Sequence, residues 1–154
     1  MILVDANILL YAYDTSSERH AEAGAWLEAT ISGGDPVRLP WATLLAFVRI
    51  ATNPRVFDRP LGIREAAEAV DSWLAEPSVD VVHAGERHWS ILRRLLVQGQ
   101  VKGPLVTDAH LAALAIEHGA TLATTDRDFA RFPGLRWVNP LSGDPVVPSA
   151  PKQR

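Results

Sequence analysis

Four aspartates in this chain stand at places where alternating strands and helices would bring carboxylates together. Asp5 follows the apolar run Met1-Ile-Leu-Val4 and precedes Ala6-Asn7-Ile-Leu-Leu10. Asp108 follows Thr107 at the head of a second apolar run, Leu111, Leu114, Ala115 and Ile116. Asp126 comes where Thr121 to Thr125 runs out, and Asp128 lies two positions further on. Carboxylates packed closely repel, and each raises the other's pKa unless a cation neutralises them. A ligand set made only of oxygen suits magnesium or manganese, not zinc or copper. Such an ion lowers the pKa of a bound water and neutralises charge on a phosphodiester as it breaks. Taken singly, each aspartate is more often structural: Asp108 could cap a helix and Asp5 could tie a loop. The five histidines (His20, His83, His88, His110, His118) show no metal-ligand spacing, and no Ser-His-Asp order stands out.

The flanking segments predict how these side chains are positioned. An apolar strand ends at Asp5, and a capped helix follows through Tyr13. Helices are predicted over 20–31, 43–52, 63–76 and 87–98, each with apolar residues at helical spacing. Asp108 is expected to cap a further helix, where the partial positive charge of the helix end would keep it ionised, and Gly119 to stop it. Short strands are predicted at 37–39, 79–82, 121–125 and 135–138. Strands separated by longer helical patterns mean an α/β sandwich with a mostly parallel sheet. In such a sheet, sites form beyond the carboxyl ends of strands, where strand order reverses. If the first strand and the Thr121 strand are neighbours, Asp5, Asp108 and Asp126 converge there.

Composition narrows the field. At 154 residues with 47% apolar content and five tryptophans, the chain can build one proper core. It holds no cysteine, which excludes disulfides and thiolate metal sites. The first apolar run is broken by Asp5 and lacks a basic leader, unlike a secretory signal, and no stretch approaches a membrane span. The formal net charge of −3 is the wrong sign for a generic nucleic-acid binder. Local patches are basic nonetheless: Arg38, Arg49, Arg55, Arg59 and Arg64 face only Asp58, and Arg87, Arg93, Arg94 and Lys102 have no acid among them. Either stretch alone reads as a solvated helix face; together, beside an acidic centre, they fit RNA contact. One domain is expected over 1–140, with a flexible tail over 141–154 rich in proline, serine and charge.

Val4-Asp5-Ala-Asn7, Thr107-Asp108-Ala-His-Leu-Ala112 and Thr124-Thr-Asp126-Arg-Asp128-Phe129, in that order and spacing, resemble the PIN domains. The likeness is greatest to the VapC-type toxins of bacterial toxin–antitoxin pairs, and Arg49-Ile-Ala-Thr-Asn-Pro-Arg55-Val-Phe57 is similar to a stretch common in mycobacterial members. The resemblance covers about residues 1–140. It implies a three-layer sandwich with five strands in the order 3-2-1-4-5. It implies a ribonuclease that uses Mg²⁺, with Mn²⁺ as a substitute, and cuts RNA by in-line attack of water. Asp5, Asp108 and Asp126 would be the catalytic metal ligands, and Asp128 would contact a second ion or its waters. Asn7 would orient a ligand or the substrate, and Asn7, Arg49 and Arg55 are candidates for RNA contact. A cytoplasmic location, a homodimer and a small cognate antitoxin that silences the enzyme are implied as well.

One residue departs from the family pattern. PIN nucleases usually carry a glutamate early in the helix after the second strand, and Ala46 occupies that place here. Pro36 through Phe57 contains no acid that could substitute, and Thr43 offers only a hydroxyl. Ala46 therefore motivates an alternative, a non-catalytic PIN-like module that binds RNA or an antitoxin. Other readings fit less well: a haloacid-dehalogenase-type phosphatase needs an aspartate where Asn7 stands, and a receiver domain needs a lysine where Asn139-Pro140 stands.

Overall fold

Leu3 and Val4, adjacent in the first strand, belong to different hydrophobic cores. Successive strand side chains point to opposite faces, so helices must cover the sheet on both sides. The computed structural model describes residues 1–142 and the strand at 147–148. Its elements run β1 (Ile2–Val4), α1 (Ala6–Tyr13), α2 (His20–Ser32), β2 (Val37–Pro40), α3 (Trp41–Ala51), α4 (Ile63–Leu74) and β3 (Val79–Val82), followed by α5 (His88–Gln98), α6 (Leu105–Glu117), β4 (Thr121–Ala123), a 3₁₀ helix (Arg127–Arg131), β5 (Arg136–Val138) and β6 (Val147–Pro148).

The strands lie in the order β3-β2-β1-β4-β5-β6. All pairings through β5 are parallel, with Ile2 opposite Val37 on one side and Thr121 on the other. This is the expected 3-2-1-4-5 sheet; β6 adds a short antiparallel strand beside β5 that the sequence reading did not anticipate. The expected flexible tail falls otherwise on 143–146 and 149–154, outside the described residues.

One layer holds α1, α2, α3 and α4, whose Ile8, Leu9, Leu27, Leu44, Phe47 and Trp73 pack on Val4, Val37, Leu39 and Val79. Tyr13, Phe47 and Trp73 meet edge to face at centroid distances of 4.8 to 5.6 Å, the favoured aromatic geometry, and tie three helices together. In the other layer α5 and α6 cover Leu3, Val82 and Leu122, with Phe129 and Phe132 closing one end. Four alanines of α6 are buried (Ala109, Ala112, Ala113, Ala115), so this helix approaches the sheet closely. Gly119 follows its last turn at φ +64°, the left-handed stop expected of it. Among the described residues no helix is long and apolar enough to cross a membrane.

The chain adds strands outward from β1 to β3, then returns to place β4 on the other side of β1. Strand order reverses between β1 and β4, which puts a crevice beyond Val4 and Ala123. Asp5 and Thr124 are the next residues at those two ends.

Candidate active site

Asp5 caps α1 in extended conformation, with Oδ1 accepting the Ala6 N–H at 2.7 Å. Its Oδ2 accepts the Thr124 hydroxyl from the neighbouring strand at 2.8 Å. The Thr124 oxygen in turn accepts from Asn7 Nδ2 at 3.2 Å and from the Asp126 N–H at 3.1 Å. Asp126 caps the 3₁₀ helix, its Oδ1 accepting the Asp128 N–H at 2.8 Å. Asp128 does not itself cap this turn.

Asp108 lies in the first turn of α6, four residues past the Pro104 cap position, and so is not the cap expected for it. Its pKa also moves against the pull expected from the helix end. Burial, followed by the charges of Asp5, Asp126 and Asp128, pushes its pKa up to about 6, and the opposing pull of Arg131 is weaker. A helix end is worth only a fraction of a charge, and three carboxylates outweigh it. Burial also raises the Asp5 carboxyl, with Asp126 adding to it, against the downward pull of the Thr124 and Ala6 hydrogen bonds. Asp5 and Asp126, expected to converge with Asp108, and also Asp128, all act on the Asp108 carboxyl.

The donor set fits a hard divalent cation. All charged donors are carboxylates, and the Asn7 amide oxygen, buried without a hydrogen-bond partner, is a further neutral oxygen. Among the described residues no three histidine, aspartate or glutamate side chains stand together as one ion would need. An ion would thus be held by part of the set, with water completing its shell, a common arrangement for magnesium.

Thr43 is buried and donates to the Val4 carbonyl at 2.9 Å, pinning the first turn of α3 to the end of β1. Ala42 packs towards the α6 core, and Ala46, one turn on, is half-buried. Position 46 is therefore neither core nor fully solvated. Arg49 is exposed on α3, and Arg55 lies in the turn beyond it, its N–H on Asn53 Oδ1 at 2.9 Å. A helix of 11 residues, about 16 Å long, lies between the end of β2 and the turn that holds Arg55, and neither arginine is among the groups that shift the Asp5 and Asp108 carboxyls. The cation that does reach them is Arg131, whose Nε donates to the Asp128 carbonyl at 3.2 Å and whose Nη2 lies 3.8 Å from Asp128 Oδ1.

Sequence reasoning missed Thr124 and Arg131. The signals were a hydroxyl residue two positions before Asp126 and a cation three after Asp128. It also missed a half-buried pair, His88 Nε2 against His110 Nδ1 at 2.9 Å, with Glu117 Oε2 at 3.4 Å from His88 Nδ1. The latter approach lacks hydrogen-bond geometry, since His88 Nδ1 has no hydrogen-bond partner. Burial would raise the Glu117 carboxyl, yet the Gly85 and Arg87 N–H groups and the neighbouring His88 and His118 hold it below the usual range. His110 follows Asp108 by two residues, about 200° around the helix, so this cluster ties α6 to the β3–α5 connection and faces away from the acids.

The family model described as PIN domain matches residues 2–135. A protein named Ribonuclease VapC37, from Mycobacterium tuberculosis (strain ATCC 25618 / H37Rv), is 49% identical over 140 residues, covering 91% of this chain and 97% of that protein. Ribonuclease VapC43 of the same strain is 42% identical over 143 residues, covering 93% and 97%. Among solved structures, VapC20 of Mycobacterium tuberculosis, described as a sarcin–ricin loop cleaving toxin, aligns with a TM-score of 0.63 at 20% identity, covering 84% of this chain and 93% of that one. VapBC2 from Rickettsia felis, bound to a promoter DNA fragment, aligns with a TM-score of 0.66 at 19% identity, covering 90% and 98%. These two structural likenesses speak to the fold.

Proposed function

For a chain that belongs to the PIN-domain family, and within it to the VapC group, we infer a metal-dependent endoribonuclease toxin that a cognate antitoxin neutralises. The observation that carries this reading is the meeting of Asp5, Asp108, Asp126 and Asp128 in one field where strand order reverses between β1 and β4. The ribonuclease names of close relatives support RNA as the substrate.

Asp5 and Asp108 would be the principal ligands for Mg²⁺ or Mn²⁺, with Asp126 and Asp128 completing the carboxylate set. Bound there, the ion supplies an activated water and neutralises charge on the phosphate and the leaving oxygen. Thr124 and the Ala6 N–H hold the Asp5 carboxylate in one orientation. Asn7, anchored through Nδ2, keeps its amide oxygen free for a ligand or for substrate. The activity resides in a single domain over 1–140 and acts in the cytoplasm, where RNA and antitoxin are present. A homodimer is part of the same reading. It is supported by exposed Trp41 and Leu45, one turn apart on α3, and exposed Val106 on α6.

The test compares cleavage of structured RNA by the natural chain and by Asp5→Asn, in Mg²⁺ and in EDTA. Both the substitution and chelation should abolish cutting, and activity that survives both removes the assignment. The second reading, a non-catalytic module, is favoured by the lack of any acid in α3. It prevails if the natural chain binds RNA and cuts none.

A further inference from the structure

Building on the ribonuclease reading of the site, we propose that Arg131 receives the scissile phosphate of the RNA, its guanidinium turning from the acidic rim onto a non-bridging oxygen. Arg131 closes the 3₁₀ helix that Asp126 opens. Residues three apart eclipse one another in such a helix, and Arg131 accordingly sits over Asp128, 3.8 Å from its carboxylate. The Asp128 side chain is 57% exposed and that of Arg131 34%, so water already competes for both groups. An ion pair of this kind holds its partners weakly, and the guanidinium can exchange one anion for another.

The site needs such a group. Asp5, Asp126 and Asp128 all act on Asp108 in the direction that disfavours another negative charge, after burial, and Arg131 is the cation that opposes them. A polyanion approaching four carboxylates is repelled unless a cation stands at the entrance. The guanidinium fork matches a phosphate in two hydrogen bonds and stays charged at any working pH. Held there, it stabilises charge that grows on the phosphate oxygens as the P–O bond breaks. A plain structural role, fastening the 3₁₀ turn through the Asp128 carbonyl, makes a different prediction for metal binding.

The probe is the fragment that the natural chain cuts in total bacterial RNA. Arg131→Gln should slow its single-turnover cleavage about 10- to 100-fold, with a smaller rise in KM. The same variant, free of RNA, should bind Mn²⁺ roughly two- to fivefold more tightly, because a like charge has left the rim. Arg131→Lys should keep the natural Mn²⁺ affinity and recover only part of the rate, since an ammonium lacks the fork. A thermal melt confirms that each variant is folded. Arg131→Gln cutting at the natural rate overturns the inference. So does a rate that falls together with Mn²⁺ affinity, the mark of an Asp128 that has lost its support. A natural chain that cuts no RNA overturns the ribonuclease reading itself, and this inference with it.

Discussion

The Thr124 hydroxyl donates to Asp5 across the two central strand ends, at 2.8 Å, while its oxygen accepts from the Asn7 amide and the Asp126 N–H. A hydroxyl has one proton and two lone pairs, and all three are used. The two nitrogens can only donate, so the proton of Thr124 must point at Asp5. One buried oxygen thereby fixes the orientation of the first carboxylate, the anchor of the asparagine and the backbone that presents Asp126.

Replacing Thr124 with valine keeps the shape and removes the oxygen. Asn7 Nδ2 and the Asp126 N–H are then left without an acceptor, each at a typical cost of about 1–3 kcal/mol when buried. Urea unfolding should show a loss of about that size, and a Mn²⁺ titration should show weaker binding because Asp5 loses its orienting bond. Thr124→Ser should restore most of both. A valine variant with natural stability and natural Mn²⁺ affinity would show that the network is incidental.

The raised carboxyl of Asp108 gives the metal-free protein an inverted acid dependence. Its pKa is about 6 in the folded chain against an ordinary 3.8, so the folded state binds more protons between those values. Stability from this group is then full below 3.8 and falls as pH rises to about 6. Asp5 is shifted in the same direction. Glu117, held low, acts oppositely, but only as pH drops below its ordinary 4.5. His110, held low by burial and the neighbouring His88, also acts oppositely as pH rises towards 6.5. The decline that Asp108 imposes between pH 4.5 and about 6 is therefore read in EDTA as the difference in urea midpoint between the natural chain and Asp108→Asn. Asp108→Asn should flatten that decline, and saturating Mg²⁺ should reverse it by favouring the ionised cluster. An unchanged slope in Asp108→Asn would mean that these carboxyls do not share a field.

Antitoxin binding should exploit the same shortage of cations. An arginine side chain from a partner can pair carboxylates in two hydrogen bonds, and the acidic cluster offers it Asp108 and Asp5, both with raised pKa. Expression of this chain alone should arrest growth, and co-expression of the small protein encoded beside it should relieve the arrest and yield a co-purifying complex. Unimpaired growth, or no complex, would count against the toxin reading.

The acids were legible in the sequence because their positions follow from period and punctuation. Asp5 directly follows β1 and Asp126 comes three residues after β4, and those two strands are parallel neighbours. Element bounds were less legible. Trp41 directly follows the Pro40 cap position, so α3 begins two residues before its apolar pattern becomes regular at Thr43. Asp108 looked like a cap since a hydroxyl residue and an apolar run flank it, yet Leu105 already starts the helix. The Thr124–Asp5 bond and the pairing of His88 with His110 bridge 119 and 22 residues of sequence respectively, and local pattern names neither partner. Arg49 and Arg55 drew notice by their charge and their place in the family-like stretch, but neither shifts the Asp5 or Asp108 carboxyl.

The last expectation concerns Ala46. This residue lies on α3 one turn beyond Ala42 and is half-buried, while Thr43 beside it is committed to the Val4 carbonyl. With no acid in α3, a bound ion relies on the aspartates and water, so metal binding should be weak and turnover slow. Ala46→Glu adds a carboxylate to that helix. If position 46 faces the crevice, the new ligand should lower the Mg²⁺ concentration for half-maximal cleavage and speed the reaction, with little change in the melt once metal is present. In EDTA the same variant should melt lower, since a further negative charge joins Asp5 and Asp108. If position 46 faces the core instead, burying a carboxylate costs several kcal/mol and the melt falls with or without metal. A well-folded variant with an unchanged Mg²⁺ requirement would show that this side of α3 does not address the acids at all.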